Sequence, residues 1–528
     1  MLRVVVVLFG LLMTDCSSDD AAKPDNGGGH SLIQNSGFED DEPTQLPSGW
    51  STDTYNDEDA DFTESGGFSG KYALVHRKST PYALFTHQAL SGLTNGYYSL
   101  TAWVKNSGGQ KACYLVVDGL QSGPKMTSLP VASEWTKVII RGINVTDGNA
   151  TIGLFSDANA NNWCAVDDFV LTKDDLPYEF LTGGDLSELT YIEQMGGKFF
   201  ENGEEKDAMD ILADNGFKLA RLRLYNDPGN PDFEPSKRLP AGIQDPSDIL
   251  ALAKRAKEHQ MQIVLSFHYS DYWTNGATQT KPHAWASLDF EDLKDSVYQF
   301  TFDFMKAMEA QGTTPEFVSI GNEIQAGILY PDGAVANFSK LAELLKSGSK
   351  AVRDASPDTK VILHLDDAGN RAKYDWFFGE CAKYDVDYDI VGASYYPFWT
   401  KKTVEEITEW ANDQSAKLNK PILIMESGYN WNPVLPDGYP GQLSDNGPYD
   451  DIYPSSPEGQ KDFYLECFNA LKFVDDGNVM GVLYWDPVMI AVPGVGWELG
   501  AKNVVANTTL FDFEGNGLPV LKAFKYNN

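Results

Sequence analysis

The segment from Phe317 to Gly327 reads FVSIGNEIQAG, an apolar strand-like run that stops on Asn322 and Glu323. Moving a carboxylate out of water costs several kcal/mol unless the group is paired or protonated. A buried strand that ends on a glutamate therefore indicates a position where the carboxylate takes part in chemistry. The same pattern recurs along the second part of the chain.

From residue 176 to residue 528, apolar strands alternate with amphipathic helical segments such as PSDILALAKRAKEHQ, which begins at Pro246. One strand is expected near EFLTGG at residues 179–184, and seven more centre on Leu222, Leu265, Ile320, Leu363, Val391, Ile424 and Leu483. Eight β-α units form either a closed (β/α)8 TIM barrel or an open doubly wound sheet. Because the chain has no GxGxxG or Walker motif, which an open sheet usually carries, we predict the barrel.

Polar and aromatic side chains follow nearly every predicted strand, at the end where (β/α)8 barrels place their active sites. They are Asp185, Ser187, Arg221, Arg223, His268, Asp271, Trp273, Asn322, Glu323, His364, Tyr395, Tyr396, Trp399, Glu426, Trp431, Trp485 and Asp486. Any one of them is more often structural, as when a glutamate only complements the N-terminus of a helix. Their recurrence at the same end of the strands indicates one common site.

Strand alternation predicts which of these side chains enter the barrel. Arg221 and Arg223 share one face of strand two, Glu426 lies on the inward face of strand seven, and Glu323 lies on that of strand four. Two carboxylates are therefore expected to face each other across the barrel mouth. Glycoside hydrolysis requires such a pair, and a separation of about 5–5.5 Å between the carboxyls corresponds to retention of configuration.

In this interpretation Glu426 is the nucleophile, kept ionised by Arg223, and Glu323 is the proton donor. Asn322 is placed to bind a sugar 2-hydroxyl, and Tyr395 or, preferably, Tyr396 orients the nucleophile. Trp399 and Trp485 are expected to form platforms for sugar rings. The full set of predicted substrate-binding residues is Asp185, Ser187, Arg223, His268, Asp271, Asn322, Tyr396, Trp399, Trp431 and Trp485.

Residues 31–175 have a different pattern, with short strand-like runs such as YYSLTAWVKN and CAVDDFVLTK separated by Gly, Asn and Asp. Regular short strands without helices predict an all-β sandwich domain. Cys113 and Cys164 lie in this domain, where they either pair or remain buried thiols. The opening LIQNSGFEDDEPTQLPSGW and the closing VDDFVL resemble jelly-roll carbohydrate-binding modules, which implies either a sugar-binding role or a structural spacer.

The first 30 residues have the composition of an export signal and a tether. Residues 1–16 combine Arg3 with a ten-residue apolar run and end on Cys16, which resembles a bacterial lipoprotein signal despite Asp15 before the cysteine. Residues 17–30 are acidic and Gly-rich. We expect a lipid anchor on Cys16 and a location at the outer-membrane surface; secretion or a periplasmic location is the alternative.

The charge balance restricts the partners. The chain carries 41 Lys+Arg against 76 Asp+Glu, a formal net charge of −35, so a nucleic acid is an unfavourable partner. Twelve Trp, 25 Tyr and 28 Phe suit sugar binding, although large β-rich domains are often aromatic. We expect a monomer.

From about Thr182 to Phe524 the chain resembles the endo-β-1,4-galactanases, family 53 of the glycoside hydrolases in clan A. The resemblance lies in RLRLYNDP, FHYSDYW, TKPHAWASL, VSIGNEIQAGILYPDG, ILHLDDAGN, SYYPFW, MESGYNW and YWDP. It implies a TIM barrel, Glu323 as acid/base, Glu426 as nucleophile and retaining endo attack on β-1,4-galactan. Met489 stands where the family often has a second Trp, which implies a different sugar subsite there.

No cofactor is expected for catalysis, and the identity of any bound metal is left open. The resemblances imply two places for a structural calcium ion, Glu39 with Asp168 in the sandwich and Asp437, Asp445 and Asn446 in the long loop from Asn432 to Pro454. The alternatives to a galactanase are a clan-A enzyme acting on another β-glycan such as mannan, and a non-catalytic surface glycan-binding protein.

Overall fold

The computed structural model describes residues 32–55, 59–120, 123–174, 179–474 and 478–526, which divide into two compact units. The predicted signal peptide, the tether and Cys16 lie outside these residues, so the lipid anchor and the surface location stay predictions. Among the described helices, none combines the length and the apolar character that a membrane span requires.

The amino-terminal unit contains ten strands and no helix among its described residues. Two five-stranded sheets have the strand orders β1-β4-β9-β6-β7 and β2-β3-β10-β5-β8. The strands are β1 Ser51–Thr54, β2 Asp61–Ser65, β3 Tyr72–Arg77, β4 Tyr82–Leu90, β5 Gly96–Asn106, β6 Ala112–Asp118, β7 Lys125–Ser128, β8 Ala132–Val145, β9 Ala150–Ala158 and β10 Trp163–Lys173. Cys113 and Cys164 are buried free thiols rather than a disulfide.

The second unit is a closed barrel of eight parallel strands, as predicted. In order around the barrel the strands are β11 Leu181–Asp185, β14 Leu219–Leu224, β15 Gln262–Phe267, β16 Phe317–Ile320, β19 Lys360–Leu365, β20 Ile390–Ser394, β21 Ile422–Glu426 and β22 Val479–Tyr484. β22 pairs with β11 and closes the ring. Two short hairpins lie outside it and comprise β12 Phe199–Glu201, β13 Glu204–Lys206, β17 Gly327–Ile328 and β18 Gly333–Ala334.

Helices connect the strands and cover the outside of the barrel. They are α1 Leu189–Gln194, α2 Ala208–Asp214, α3 Pro246–Glu258, α4 Phe290–Ala310, α5 Phe338–Ala355, α6 Arg371–Lys383, α7 Pro397–Thr400, α8 Val404–Leu418, α9 Pro457–Lys472 and α10 Leu521–Tyr526. Local sequence sets their ends: Asp245 accepts hydrogen bonds from the Ser247 and Asp248 amides and so caps α3, with Pro246 at the first helical position.

Strand alternation separates two apolar layers of the barrel. Inward residues such as Leu219 and Leu483 pack on each other inside the ring, whereas Leu222 and Leu224 pack against the helices. Arg221 lies on the same face of β14 as Leu219 and is fully buried. The barrel interior therefore changes from apolar to charged toward the carboxyl ends of the strands, where the polar side chains gather.

Glycine allows the strands to approach closely where the ring closes. A Cβ on Gly481 would lie 1.9 Å from the carbonyl oxygen of Leu181 on the neighbouring strand. We predict that Gly481→Ala lowers the free energy of unfolding by about 1–3 kcal/mol, because strands β11 and β22 must separate to admit the methyl group. Urea unfolding followed by tryptophan fluorescence measures the change.

The matched control is Gly379→Ala, in the middle of α6, where a Cβ meets no atom within 4 Å. That variant should be stabilised by about 0.5–1 kcal/mol, since alanine is the better helix former. Equal unfolding midpoints for the two variants would contradict the close approach at the barrel seam.

Candidate active site

Glu323 follows β16 in a left-handed turn. The strand ends at Ile320, and Gly321 and Glu323 have φ of 85° and 48°. The prediction from strand alternation assumed extended backbone as far as Glu323; in the structure the turn, rather than the strand, directs this side chain into the cleft. A non-glycine residue in this conformation costs about 1–3 kcal/mol, and such residues concentrate at functional sites.

The Glu323 carboxyl has neutral partners. It accepts hydrogen bonds from the Ser394 hydroxyl at 2.8 Å and, more weakly, from the Gly276 amide at 3.4 Å. Burial, together with the nearby charges of Glu426 and Asp366, raises the pKa of Glu323 to about 8, against the opposing effect of the two hydrogen bonds. The side chain therefore holds a proton near neutral pH.

Glu426 is the last residue of β21, and the strand face predicted for it was wrong. Residues 422 and 424, which share its parity, pack against the helices, whereas residues 423 and 425 face the barrel interior. A register shift against β20, after which Ser394 pairs with Glu426, turns this side chain inward.

Glu426 has a cation in contact. Its two oxygens accept hydrogen bonds from the Arg221 guanidinium at 2.8 Å and from the Tyr396 hydroxyl at 3.0 Å. Burial raises the pKa of Glu426 above its ordinary value, and Arg221 and Tyr396 oppose that rise. Tyr396 keeps its proton because burial raises its own pKa well above the ordinary value.

Arg221, not Arg223, contacts Glu426, which corrects the prediction from the sequence. The Arg221 guanidinium bonds Glu426 on one side and the Asn322 side-chain oxygen, at 2.7 Å, on the other. Arg223 instead pairs with three buried acids, Asp185, Glu188 and Asp486. Both arginines face inward, one strand period apart. The sequence does not reveal which of them lies at the same height along the barrel as the Glu426 carboxyl.

The two glutamates approach closely. One carboxylate oxygen from each, with one ring nitrogen of His364, all lie within 4.8 Å of one another. His364 and Glu323 also share a partner, because the Ser394 hydroxyl contacts both the His364 Nε2, at 2.9 Å, and the Glu323 carboxyl. The predicted pair of facing carboxylates is therefore present in the structure.

A cleft of about 630 Å³ opens over this pair. Its walls include both glutamates and a set of aromatic and polar side chains, namely Tyr225, His268, Trp273, Asn322, Tyr396, Trp399, Trp485 and Trp497. The Trp485 ring rests on the Arg223 guanidinium, 4.4 Å from the ring centroid, which fixes its orientation. The predicted residues His268, Asn322, Tyr396, Trp399 and Trp485 thus meet at one surface.

His268 presents a neutral ring to the cleft. Its Nδ1 is 2.7 Å from the Thr274 hydroxyl, while its Nε2 has no hydrogen-bond partner among the described residues. Burial and the neighbouring Arg221 and Arg223 lower the pKa of His268 well below its ordinary value. The Nε2 atom is buried and its hydrogen-bonding capacity is unused by the described residues.

The other five predicted substrate-binding residues do not line this cleft. Asp185 accepts hydrogen bonds from the Ser187 amide, at 3.0 Å, and from Arg223, and the Ser187 hydroxyl accepts one from the Arg223 amide at 2.8 Å. These three residues form a buried network behind Trp485 and Arg221. The structure thus places them in this network and not on the cleft wall, and their role in substrate binding stays a prediction.

Asp271 and Trp431 lie in other environments. Asp271 accepts a hydrogen bond from the His283 amide at 2.6 Å and lines a neighbouring cavity of about 500 Å³. Trp431 packs against Phe513, and its indole nitrogen donates to the Ala506 carbonyl at 3.3 Å. Both side chains stabilise loops beside the cleft.

Several cleft residues were not predicted. Ser394 has a sequence signal, because it lies two residues before Tyr396 on the same face of its segment. Asp366 directly follows β19 and so carries the same strand-end signal as the predicted residues. Gln325 and Lys373 follow strand ends by one turn or more, and Gly276 and Trp497 come from loops without periodicity. Loop conformation depends on tertiary packing, so no local pattern identifies these residues.

The trio Glu323, His364 and Glu426 is the one group of three or more His, Cys, Asp or Glu in the described ranges whose ligand atoms are close enough to share a metal ion. Arg221 argues against a cation there, since its guanidinium already occupies Glu426 at 2.8 Å. The donor set fits a pair of reacting carboxyls better than a metal centre.

The two candidate calcium sites differ. In the long loop, Asp437 pairs with Lys502 and Asp445 pairs with Lys401, so each carboxylate already has a cation. The Asn446 side-chain oxygen accepts the Asn430 amide, and these residues therefore do not fit a calcium ion.

In the sandwich, Glu39 and Asp168 accept hydrogen bonds only from neutral groups, the Lys71 and Tyr72 amides and the Ser69 hydroxyl. The buried carboxyl of Asp167 lies beside them, and burial raises its pKa to about 7. The three carboxyls are nevertheless not among the groups in the described ranges whose oxygens lie close enough to share one ion, so this structure does not support a calcium site there.

Two close carboxyls in an aromatic cleft of a (β/α)8 barrel are the arrangement that a glycoside hydrolase requires. Residues 181–524 match the model of glycosyl hydrolase family 53. The chain belongs to this family.

Similar proteins cover the same part of the chain. The endo-β-1,4-galactanase of Bacillus subtilis is 28% identical over 392 residues, which are 69% of this chain and 89% of the relative. The arabinogalactan endo-β-1,4-galactanase of Cellvibrio japonicus is 30% identical, covering 66% of this chain and 90% of the relative. The family 53 catalytic domain of Ignisphaera aggregans is 34% identical with a TM-score of 0.62, covering 66% of this chain and 96% of that domain.

The buried cluster around Arg223 predicts an unequal effect of two arginine substitutions. Arg223→Met should lower the free energy of unfolding by about 3–5 kcal/mol, because it leaves buried acids without their cation. Arg371→Met, which removes the half-exposed pair with Asp413, should cost less than about 1 kcal/mol. Urea unfolding curves compare the two, and a loss of under 1 kcal/mol in Arg223→Met would contradict the role of that cluster.

Proposed function

We propose that the chain is a retaining endo-hydrolase of β-1,4-galactan that acts by double displacement through Glu323 and Glu426. The observation that carries the mechanism is the approach of the two carboxyls within 4.8 Å. Retaining glycosidases hold these groups about 5–5.5 Å apart, whereas inverting ones leave about 6.5–9.5 Å for a water molecule. The substrate is inferred from the relatives in Bacillus subtilis and Cellvibrio japonicus, which are endo-β-1,4-galactanases by name.

In the first step the Glu426 carboxylate attacks the anomeric carbon. The bond from that carbon to the glycosidic oxygen breaks, and Glu323 transfers its proton to the departing oxygen, so the leaving chain ends in a hydroxyl group. Glu426 is then esterified to the remaining sugar and Glu323 is ionised. The positions of Arg221 and Tyr396 hold the Glu426 carboxylate in place for the attack.

In the second step Glu323 acts as a base. It takes a proton from a water molecule, whose oxygen attacks the anomeric carbon and displaces Glu426. Two inversions give net retention, and both glutamates return to their starting protonation states. The raised pKa of Glu323, which has no cation in contact, suits this exchange of a proton in each half of the reaction.

The rest of the cleft supplies substrate contacts. Asn322, held by Arg221, is placed beside Glu323 to bind a sugar hydroxyl. The Nε2 atom of the neutral His268, which has no partner among the described residues, forms a hydrogen bond with a second sugar hydroxyl. Trp485 offers one ring face to a sugar, and Trp399, whose surface is 55% exposed, extends an apolar platform at the cleft rim. A neutral, hydroxyl-rich chain matches these groups.

Catalysis by the pair predicts a sharp loss in one variant. Glu426→Ala should reduce the release of reducing sugar from galactan by about 10⁴-fold or more, because no nucleophile remains. The variant should still fold and show a cooperative unfolding transition. Glu409→Ala, an exposed residue on α8, is the control and should keep full activity.

The same assay on galactan, mannan and xylan tests the substrate. If another β-glycan is cleaved faster, that glycan replaces galactan as the proposed substrate. Tight binding to galactan gels without hydrolysis would indicate a binding protein instead of an enzyme. Strong hydrolysis by Glu426→Ala would exclude the double displacement.

The proton on Glu323 predicts the alkaline limit of activity. The value of kcat/KM should fall as pH rises through about 8, where Glu323 loses its proton. Ser394→Ala removes a hydrogen bond that favours the ionised form of Glu323, so it should raise the pKa of Glu323. The descending alkaline limb of the pH–rate profile should then move to higher pH by up to about one unit. A limb that stays in place or moves to lower pH in the pH–rate profile would contradict the assignment of Glu323.

A further inference from the structure

Polar groups converge on Gly276, at the side of the cleft opposite Glu426. Gly276 belongs to the loop after β15, which is the fourth strand from β21 around the eight-stranded ring. A Cβ on this glycine would lie 1.8 Å from the Gln325 amide nitrogen and 3.2 Å from the Asp366 Oδ2. The Gly276 amide itself points at Glu323. Three functional side chains thus approach one stretch of bare backbone.

These groups are held in place and remain accessible. The Gln325 side-chain oxygen accepts the Asp366 amide at 3.1 Å, which turns its NH2 toward Gly276. The Lys373 ammonium, in the first turn of α6, pairs with Asp366 Oδ1 and also with Asp367 at 3.3 Å. The side chains of Asp366 and Lys373 are 33% and 25% exposed, and both line the cleft.

The reaction geometry places one sugar here. A general acid must contact the glycosidic oxygen, and after cleavage that oxygen belongs to the leaving chain. The leaving sugar therefore lies against the groups next to Glu323 and away from Glu426. Those groups are the Gly276 backbone, the Gln325 amide and the Asp366–Lys373 pair.

We propose that Gly276, Gln325, Asp366 and Lys373 form the subsite for the leaving sugar and bind its hydroxyl groups. The inference rests on the proposed function, whose substrate is a neutral glycan. A carboxylate that accepts, with an amide and an ammonium that donate, matches hydroxyl groups on one sugar ring. The absence of a side chain at Gly276 leaves room for the Gln325 amide to lie beside the Gly276 backbone at the cleft wall.

Two substrates separate this subsite from the catalytic pair. Linear β-1,4-galactotetraose carries a sugar on the leaving side, whereas 4-nitrophenyl β-1,4-galactobioside carries a flat aryl group without hydroxyls. Gly276→Ala places a methyl group at the subsite and displaces Gln325. Asp366→Asn weakens the charged hydrogen bond to the sugar, with little change in volume.

For both variants kcat/KM on the tetraose should fall by about 10-fold more than kcat/KM on the aryl glycoside, the effect of losing one good hydrogen bond. The ratio of kcat/KM on the tetraose to kcat/KM on the aryl glycoside is measured at the pH optimum of each variant, because Asp366 also raises the pKa of Glu323. Lys383→Met, at the far end of α6 and exposed, should leave the ratio at the wild-type value.

The proposed subsite would be overturned if kcat/KM fell equally on the two substrates in both variants, or if it did not fall at all. Asp366→Asn keeps the test decisive if Gly276→Ala does not fold. A wild-type chain that hydrolyses neither substrate would remove the proposed function itself, and the subsite with it.

Discussion

Arg221 binds the Glu426 carboxylate at the floor of the cleft, where the arginine is fully buried and the glutamate is nearly so. Each charge is stable there only because the other is present, since removing one partner of a buried pair costs about 3–5 kcal/mol. The same guanidinium binds Asn322, which precedes Glu323 in the chain. One arginine thus connects the two strand ends that carry the carboxyls, and the geometry of the site depends on it.

The arrangement gives two identical side chains different properties. Glu426 has a guanidinium and a phenol in contact, both of which favour its ionised form. Glu323 has a hydroxyl and a backbone amide, while the charge of Glu426 opposes its ionisation. Carboxyls whose surroundings differ in this way divide the roles of acid and nucleophile between them. Burial, which is costly for folding, is therefore what makes the pair reactive.

The strands and most of their inward faces could be predicted from sequence, because side chains alternate with a two-residue period. Alternation does not place the two glutamates, since a left-handed turn directs Glu323 and a register shift in β21 directs Glu426. The glutamates could be predicted because a buried carboxylate is too costly to be incidental. The choice between Arg221 and Arg223 could not, since both share one face and differ only by one layer of about 6.6 Å along the strand. Long-range packing, which places Trp431 against Phe513, leaves no local signal either.

Retention of configuration is the central claim, because it follows from the short gap between Glu323 and Glu426. Proton NMR during the first minutes of galactan hydrolysis distinguishes the anomers of the newly formed reducing ends before they interconvert. The account predicts that the β-anomer forms first and that the α-anomer grows in only by mutarotation. Initial formation of the α-anomer would contradict it.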